Sequence, residues 1–592
     1  MSRTKAELQR MIRAALGEIN ADLVITGGKL INVYSGEVLE GFEIAVSGGR
    51  ICYVGPSAQH ARGETTEVLD ACGFYVSPGF IDGHTHIGHY ARPFKNLQSF
   101  LPHRTTAVIA SCDEMSTVFG YRGLKVFLDE VERHPVKVFT LISMVAPQDP
   151  LLCNTASLSQ QEIAEALSDP RVLGVGEIVS WLRLLQCDDA LLETLDRAHR
   201  SGQIIHGHTA GVRDRKLSAV ATAGISSCHE PIRMEDALER LRLGYWTMLR
   251  EGSLRRDLQE TLEPLIKLGV SLQRLILVTD SMSPDDVEEL GHMDNVVRRA
   301  ISLGLPPMQA VQAVTLNPAI YSGLDQEIGG IAPGRWADIV LIEDLEQCRV
   351  GQVLVKGKTV AREGKSVVDE RAPMTLPEDM FSCLTVGPTI SAEQLVIASP
   401  SPAPRVRVME LLNQTITAEK VLKVEAASGL LVADPQRDLL KVAMFDRHHG
   451  TKQPSLGFLN GFGACVGAVG LTANLDENTL LVVGSDDQDM ALCANALIAA
   501  GGGIAIVDHN LILEKIDFPF GGIFSLDPWS VVGKRLRRIQ NRLHNRGSPF
   551  DKPIFALTFL PFVSLPSLRI TSRGLVNVKE RKIVSLIESE DF

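Results

Sequence analysis

The chain lacks an excess of basic residues, a long unbroken apolar run and any paired-cysteine motif. Its 592 residues include 59 Lys and Arg against 71 Asp and Glu, which gives a net charge of −12. Nucleic-acid-binding surfaces need basic patches to contact phosphates, so this balance argues against a nucleic-acid partner. The ten cysteines form no C-x-x-C pair. We therefore expect reduced thiols and a cytoplasmic location.

Signals for secretion or membrane insertion are also missing. The first 18 residues mix both charge signs at a helical spacing, and no apolar signal-peptide core follows them. This pattern predicts a surface helix. The most apolar later stretches, 491–507 and 555–570, are broken by Asn495 with a Gly-Gly-Gly run and by prolines, so neither predicts a membrane span. The H-x-E and P-C-x-x-C motifs of one class of zinc deaminase have no match either.

The order of strand-like and helix-like segments predicts a multidomain α/β protein, because one hydrophobic core cannot serve a chain of this length. Residues 22–77 and 326–370 contain short β-branched stretches between glycine turns, which predict one small β-sandwich built from both blocks. Between them, strands alternate with helices and predict a (β/α)8 TIM-type barrel. The predicted boundaries are 1–77 for the N-terminal helix and first β block, 78–325 for the barrel, 326–371 for the second β block, 372–404 for a proline-rich linker, and 405–592 for a C-terminal α/β domain.

The strongest local signal is the segment PGFIDGHTHIG, which contains His84 and His86. Residues two apart on a strand point to the same face, so these imidazoles could grip one metal ion. An H-x-H pair alone is a weak signal, because a buried or surface role explains about half of such pairs.

Further candidate ligands close later strand-like runs. Glu177 ends VLGVGE, His206 and His208 end QIIHGH, His229 ends GISSCH, and Asp280 ends RLILVTD. Each alone could be a helix cap, a satisfied core histidine or a strand-edge acid. Barrel enzymes build their sites at the carboxyl ends of the strands, and a buried carboxylate needs a partner. Five successive strand ends with such residues therefore predict a metal site.

This order of ligands resembles that of the amidohydrolase superfamily. Within it, four segments are similar to those of the bacterial adenine deaminases: SCHEPIRMEDALERLRLGYWTMLREGSLRRDL, GLDQEIGGIAPGRWADIVL, GFLNGFGACVGAVG and SDDQDMALCANALIAAGGG. The resemblance spans nearly the whole chain. It implies one or two divalent ions, with Mn²⁺ or Fe²⁺ favoured and Zn²⁺ possible, and a homo-oligomer. The ligands that it implies are His84, His86, Glu177, His208, His229 and Asp280, and it leaves His206 a supporting or structural role.

The resemblance also implies a reaction, the hydrolytic deamination of adenine to hypoxanthine and ammonia. The partners would be a small purine base and water. Either Glu177 or Asp280 would act as the general base. His229 would polarise the reacting centre or hold a second metal ion. The sequence leaves open which carboxylate is the base.

Three stretches depart from the family pattern. Where the family continues its H-x-H with Ile-Glu-Ser, this chain has Ile87-Gly88-His89, and the family's Asp-Pro-His-Glu appears as Ser111–Glu114. The family's C-terminal His-Asp-Ser-His-Asn is Leu475–Thr479 here. Two alternatives to adenine deamination follow. One is a deaminase or amidohydrolase acting on a modified purine or another amino-heterocycle, and the other is a catalytically dead relative retained for binding.

Overall fold

The computed structural model describes residues 3–145, 148–347, 349–368, 374–387, 389–450, 453–565 and 567–588. In these residues a parallel α/β unit lies between two β blocks in sequence, and a second α/β domain follows. None of the helices described there is both long enough and apolar enough to cross a bilayer.

The first block begins with helix α1 (Lys5–Ala15), whose start is fixed by local hydrogen bonds. The Thr4 side chain accepts from the Glu7 backbone N–H, and the Glu7 side chain accepts from the Thr4 N–H, which is a capping box. Short strands separated by glycine turns follow. They are β1 (Leu23–Thr26), β2 (Lys29–Asn32), β3 (Glu37–Leu39), β4 (Glu43–Ser47), β5 (Arg50–Gly55), β6 (Glu67–Asp70) and β7 (Tyr75–Pro78).

The parallel unit alternates strands with helices. Its strands are β8 (Phe80–His86), β9 (Thr105–Ser111), β10 (Lys137–Ile142), β11 (Val172–Ile178), β12 (Ile204–Gly207), β13 (Ser227–Cys228), β14 (Trp246–Arg250), β15 (Leu275–Val278) and β16 (Asp280–Ser281). Its helices are α2 (Pro93–Phe100), α3 (Asp113–Val131), α4 (Gln160–Leu167), α5 (Trp181–Leu185), α6 (Asp189–Arg200), α7 (Asp214–Thr222), α8 (Met234–Arg242), α9 (Leu258–Leu268), α10 (Pro284–Leu290), α11 (Met293–Ser302), α12 (Pro307–Ala313) and α13 (Leu316–Tyr321).

These strands form two parallel sheets. Six strands pair in the order β12-β11-β10-β9-β8-β16, and three pair in the order β13-β14-β15. Only Thr279 separates β15 from β16, so the smaller sheet leads directly into the larger one. Within the described residues, no strand pairing joins β12 to β13. The unit is thus a curled parallel α/β sheet surrounded by helices.

The second β block returns to the first. It contains β17 (Ile339–Asp344), β18 (Arg349–Val355), β19 (Lys358–Arg362) and β20 (Lys365–Ser366). Strand β17 pairs antiparallel with β7, which gives a seven-stranded sheet in the order β20-β19-β18-β17-β7-β2-β3. A four-stranded sheet, β5-β4-β1-β6, shares one apolar core with it, to which Ile25 and Ile339 both belong. The chain on either side of the parallel unit therefore builds one β structure.

The C-terminal domain is centred on an eight-stranded, mostly antiparallel sheet in the order β23-β22-β27-β26-β29-β28-β30-β31. Its strands are β21 (Ile397–Ala398), β22 (Arg405–Leu411), β23 (Thr417–Lys423), β24 (Ala426–Ala427), β25 (Leu430–Leu431), β26 (Leu439–Met444), β27 (Ser455–Asn460), β28 (Ala468–Leu471), β29 (Leu481–Gly484), β30 (Gly503–Asp508), β31 (Leu511–Asp517), β32 (Leu568–Thr571), β33 (Gly574–Asn577) and β34 (Lys582–Val584). Its helices are α14 (Asp487–Ala499), α15 (Trp529–His544) and α16 (Pro553–Thr558).

The segment that the sequence presents as a linker packs into this domain over its described part. Leu384, Val386, Ile390 and Leu395 are buried in the core that α14 forms against the sheet. Proline content alone suggests an open linker, but these spaced apolar side chains anchor the segment to the domain.

A buried ion cluster connects the C-terminal domain to the parallel unit. Nζ of Lys552 lies 2.6 Å from Asp285 Oδ2 and 2.6 Å from Asp286 Oδ1, at the start of α10. Gly533 lets α15 approach closely, because a Cβ there would lie 2.9 Å from the Pro284 carbonyl carbon. The two domains are thus held together by charge and by close backbone packing.

We expect the substitution Lys552→Ala to destabilise the protein by about 3–5 kcal/mol, because it leaves the buried Asp285 without a counter-charge and Asp286 with only its 3.3 Å contact to Arg256. The measurement is the midpoint of the first thermal unfolding transition. Lys534→Ala, an exposed lysine on α15, is the matched control. Equal midpoints for the two variants would show that the cluster contributes little to docking.

Candidate metal centre

The carboxyl ends of the parallel strands meet at one edge of the unit, where barrel enzymes place their sites. All six side chains that the sequence presents as ligands lie at this edge. His84 and His86 close β8, Glu177 lies near the end of β11, His208 follows β12, His229 follows β13, and Asp280 begins β16. The structure therefore brings the six together.

Glu177 lies at the centre of this cluster. Its Oε2 is 2.7 Å from His208 Nδ1 and 2.9 Å from His229 Nε2, and its Oε1 is 3.7 Å from His86 Nε2. Two groups of three residues, each with ligand atoms within 4.8 Å of one another, share this carboxylate: His84, His86 and Glu177, and Glu177, His208 and His229. Glu177 thus joins two neighbouring sets of imidazoles.

Asp280 contacts the other side of the cluster. Its Oδ1 is 3.3 Å from His84 Nε2 and 3.6 Å from His86 Nε2, and its Oδ2 accepts a hydrogen bond of 3.1 Å from Arg250 Nη1. Arg250 is buried, and it also donates to Asp257 at 2.9 Å. The arginine therefore fixes the position of Asp280 from behind.

The electrostatics of the cluster favour ionised carboxylates. Burial opposes ionisation of Glu177, but His208 and His229 outweigh it and hold its pKa well below the usual range. Burial acts in the same way on Asp280, whose pKa is nevertheless held well below its usual range by His84, His229 and a buried arginine.

The imidazoles respond to the same charges. Burial would lower the pKa of His86, yet Asp113 and the other nearby carboxylates raise it to about 10. The pKa of His208 rises to about 9 against the effect of burial, chiefly because of Glu177. Positive charge is thus stabilised in this pocket, and a metal cation would compete with these protons for the same ligands.

Sequence reasoning missed Glu230 and Arg250 as members of the site. Glu230 Oε1 lies 3.5 Å from His229 Nε2, and Glu230 forms a further candidate metal group with His229 and Asp280. Its only sequence signal is that it directly follows His229, just past the end of β13. Arg250 is the last residue of β14, and its sequence neighbours do not indicate a role in the site.

Asp113 and His206 adjoin the six residues, and His206 also forms a candidate metal group with His84 and His229. Asp113 Oδ2 is 2.9 Å from His86 Nδ1, so the residue that departs from the family pattern orients a site histidine. His206 Nδ1 is 3.0 Å from the Tyr321 hydroxyl, and its ring stacks on that of His84 with centroids 4.5 Å apart. The sequence named Asp113 as a departure but gave no indication of this contact.

The cluster opens into a cavity of about 580 Å³ that both domains line. His86, Glu177 and Asp280 are on the side of the parallel unit, and Asn478 and Phe562 are on the side of the C-terminal domain. The cavity is large enough for a purine base with accompanying water. Residues of all three departing stretches, Gly88, His89, Asp113, Glu114, Leu475, Asp476 and Asn478, also line it.

The residues present fit a divalent cation. His208 Nδ1 and His229 Nε2 are only 3.2 Å apart beside a carboxylate, and both rings are buried. Imidazole and carboxylate ligands without thiolate suit Zn, Fe or Mn. In the described part of the chain, His208 Nε2 and His229 Nδ1 are buried without a hydrogen-bond partner.

Two known protein families match separate parts of the chain. Residues 75–360 match the amidohydrolase family, and residues 414–582 match the adenine deaminase C-terminal domain. The first range contains all six residues of the cluster, and the second contains the side chains that cover the cavity from above.

Curated relatives match over nearly the whole length. The adenine deaminase of Moorella thermoacetica is 38% identical over 592 residues, which cover 99% of this chain and 99% of that protein. The adenine deaminase of Cenarchaeum symbiosum is 37% identical over 580 residues, covering 98% of this chain and 95% of that protein. That of Clostridium botulinum strain Langeland is 33% identical over 581 residues, covering 96% of each.

Proposed function

Because this chain belongs to the adenine deaminase family, we propose that it hydrolyses adenine to hypoxanthine and ammonia. It is then a hydrolase of C–N bonds other than peptide bonds, acting on a cyclic amidine. The observation that carries the proposal is the cluster around Glu177, which lies at the base of a cavity sized for a purine and lined by both domains.

We propose that the parallel strands complete an eight-stranded (β/α)8 barrel over about 78–325, in which β15 and β16 act as one strand. The Gly207 N–H donates to Ser227 Oγ at 3.4 Å across the junction between β12 and β13, which supports closure there. The flanking β-sandwich comprises 1–77 with 326–371, and the C-terminal domain begins by 405. A cytoplasmic location and a homo-oligomeric state stay predictions.

We propose that His84, His86, Glu177, His208, His229 and Asp280 would hold one or two divalent cations, with Glu177 common to two of the candidate ligand groups. Mn²⁺ or Fe²⁺ is favoured, and Zn²⁺ is also compatible with this ligand set. A divalent ion bound there would lower the pKa of its bound water to roughly 7 and so would supply hydroxide at neutral pH.

We assign Asp280 as the group that moves the proton. Both carboxylates line the cavity, but Glu177 Oε2 is held between His208 and His229 at 2.7 and 2.9 Å, whereas Asp280 Oδ1 makes longer contacts of 3.3 Å to His84 and 3.6 Å to His86. Asp280 takes one proton from water and passes it to the ring nitrogen as a C–O bond forms at the amino-bearing carbon. The proton left on the new hydroxyl group then passes through Asp280 to the amino nitrogen as the C–N bond breaks, so that the product carbonyl forms and ammonia leaves.

The test is a deaminase assay on the purified chain supplied with Mn²⁺ or Fe²⁺. We expect adenine absorbance to fall and one ammonia to be released for each adenine consumed. A metal-loaded protein that leaves adenine unchanged would overturn the proposal, and a panel of modified purines and amino-heterocycles would then identify the substrate. A chain that takes up no metal would instead indicate a binding relative.

A further inference from the structure

The loop that joins β28 to β29, residues 474–479, is fixed against the parallel unit. Two of its three central polar residues bond to the connection between β10 and α4, and the third bonds to α3. Gln148 Nε2 donates to Asp476 Oδ1 at 2.7 Å, the Asn154 N–H donates to Glu477 Oε1 at 2.7 Å, and Asn478 Nδ2 donates to Thr117 Oγ1 at 2.7 Å. Loops held by several such bonds keep their side chains in defined positions, so this loop forms a rigid part of the cavity wall.

Asn478 in this loop has one polar atom that nothing satisfies. The side chain is 2% exposed, and within the described residues its Oδ1 has no hydrogen-bond partner. The Thr117 hydroxyl donates to the Glu114 carbonyl at 3.2 Å, so its oxygen can only accept from Asn478. This fixes Nδ2 toward Thr117 and directs Oδ1 away from it.

Buried acceptors are normally hydrogen-bonded, and a ligand bound in the cavity would supply the missing donor. Asn478 lines the same cavity as His86 and Glu177, and the rings of Phe559 and Phe562 also line it. The aromatic rings offer apolar surface for a flat heterocycle, while the amide oxygen offers an acceptor at its edge. The ligand must then carry an N–H that is not the reacting amino group.

In a free purine base of this kind, the only such donor is the N–H of the imidazole ring. We propose that Asn478 Oδ1 accepts a hydrogen bond from this ring N–H, so that the C-terminal domain selects a free base over one substituted on that ring. This inference rests on the proposed function. A substituted base would leave the buried oxygen unpaired, and sites of this design discriminate strongly against ligands that lack the donor.

The test compares two substrates in three proteins. The substrates are adenine and an adenine analogue whose ring N–H is replaced by sulfur, and the proteins are wild type, Asn478→Leu and Asn478→Asp. We expect kcat/KM of the wild type to favour adenine by about 10- to 100-fold beyond the intrinsic reactivity difference. Asn478→Leu, of similar volume, should lose this preference because only adenine turnover falls, whereas Asn478→Asp keeps an acceptor oxygen and should retain it.

Comparing the ratio of kcat/KM for the two substrates between wild type and a variant cancels their intrinsic reactivities. An unchanged ratio in Asn478→Leu, or an equal loss for both substrates, would overturn the proposal and leave Asn478 a packing residue. If the metal-loaded wild type does not turn over adenine, the proposed function fails. Calorimetric binding of adenine and the analogue to wild type and Asn478→Leu then still measures the preference for the N–H donor.

Discussion

Replacing Asp280 with Asn is expected to lower kcat for adenine by about 10³- to 10⁴-fold while the fold is kept, since a positioned general acid–base group typically contributes about 10²- to 10⁴-fold. The amide keeps the size of the side chain and a contact to Arg250, but it cannot take a proton from water. Asp280 lies at a strand end that serves the site more than the core. The measurement is ammonia release with the metal content determined in the same sample.

Two further variants make this result interpretable. Asp189→Asn changes an exposed carboxylate on α6 and should retain normal turnover. His86→Ala should also lose activity, with a larger loss of metal than Asp280→Asn, because His86 would act only as a ligand and alanine leaves no ligand atom. Near-normal turnover by either site variant would contradict the assignment of these residues.

Removal of metal is expected to reduce turnover to below about 1% of the starting value, with recovery on addition of Mn²⁺ or Fe²⁺. The physical reason is that the cavity holds several carboxylates beside imidazoles, and the attacking hydroxide depends on a bound cation. Binding should also stabilise the fold, by about 2.7 kcal/mol when free metal exceeds the dissociation constant 100-fold. Titration with metal, followed by thermal midpoint and by metal analysis, measures both effects.

The stoichiometry of that titration tests the role of Glu177. If this carboxylate is shared by two cations, wild type should take up about two equivalents, and Glu177→Gln should take up fewer with weaker affinity. Full activity after exhaustive chelation, or an unchanged midpoint with and without metal, would argue against a metal-dependent mechanism.

The sequence was a good guide to residues that lie at strand ends. His84 and His86 share a strand face because of the two-residue period, and Asp280 is brought to them because parallel strands end at one edge. The family prediction is also confirmed, in the wider form that covers archaeal as well as bacterial adenine deaminases.

Other features could not be predicted because they depend on packing between distant segments. The contact between Asp113 and His86 joins two neighbouring strand ends, and nothing in a local pattern specifies which side chain fills that gap. Arg250 enters the site only through its carboxylate partners. The apolar residues of the segment before β22 could not be assigned to a core from the sequence, because the sheet and helix that bury them are formed by later residues.

The same limit applies to the roof of the cavity. Asn478 lies 198 residues beyond Asp280 in the sequence, in a loop whose local pattern is that of an ordinary polar turn. Its position against Thr117 follows from how the C-terminal domain docks, and no spacing rule connects the two.

The ion cluster around Lys552 makes the parallel unit depend on the C-terminal domain. Asp285 and Asp286 follow Asp280 by only five and six residues, so Lys552 of the C-terminal domain forms its ion pairs immediately beyond the site. Phe520 and Phe524 of that domain also belong to the core of the parallel unit. Expressing residues 1–371 alone would therefore uncover apolar surface, leave Asp285 without its lysine partner and remove one wall of the cavity. A shortened polypeptide that is to keep the complete cavity must contain both domains.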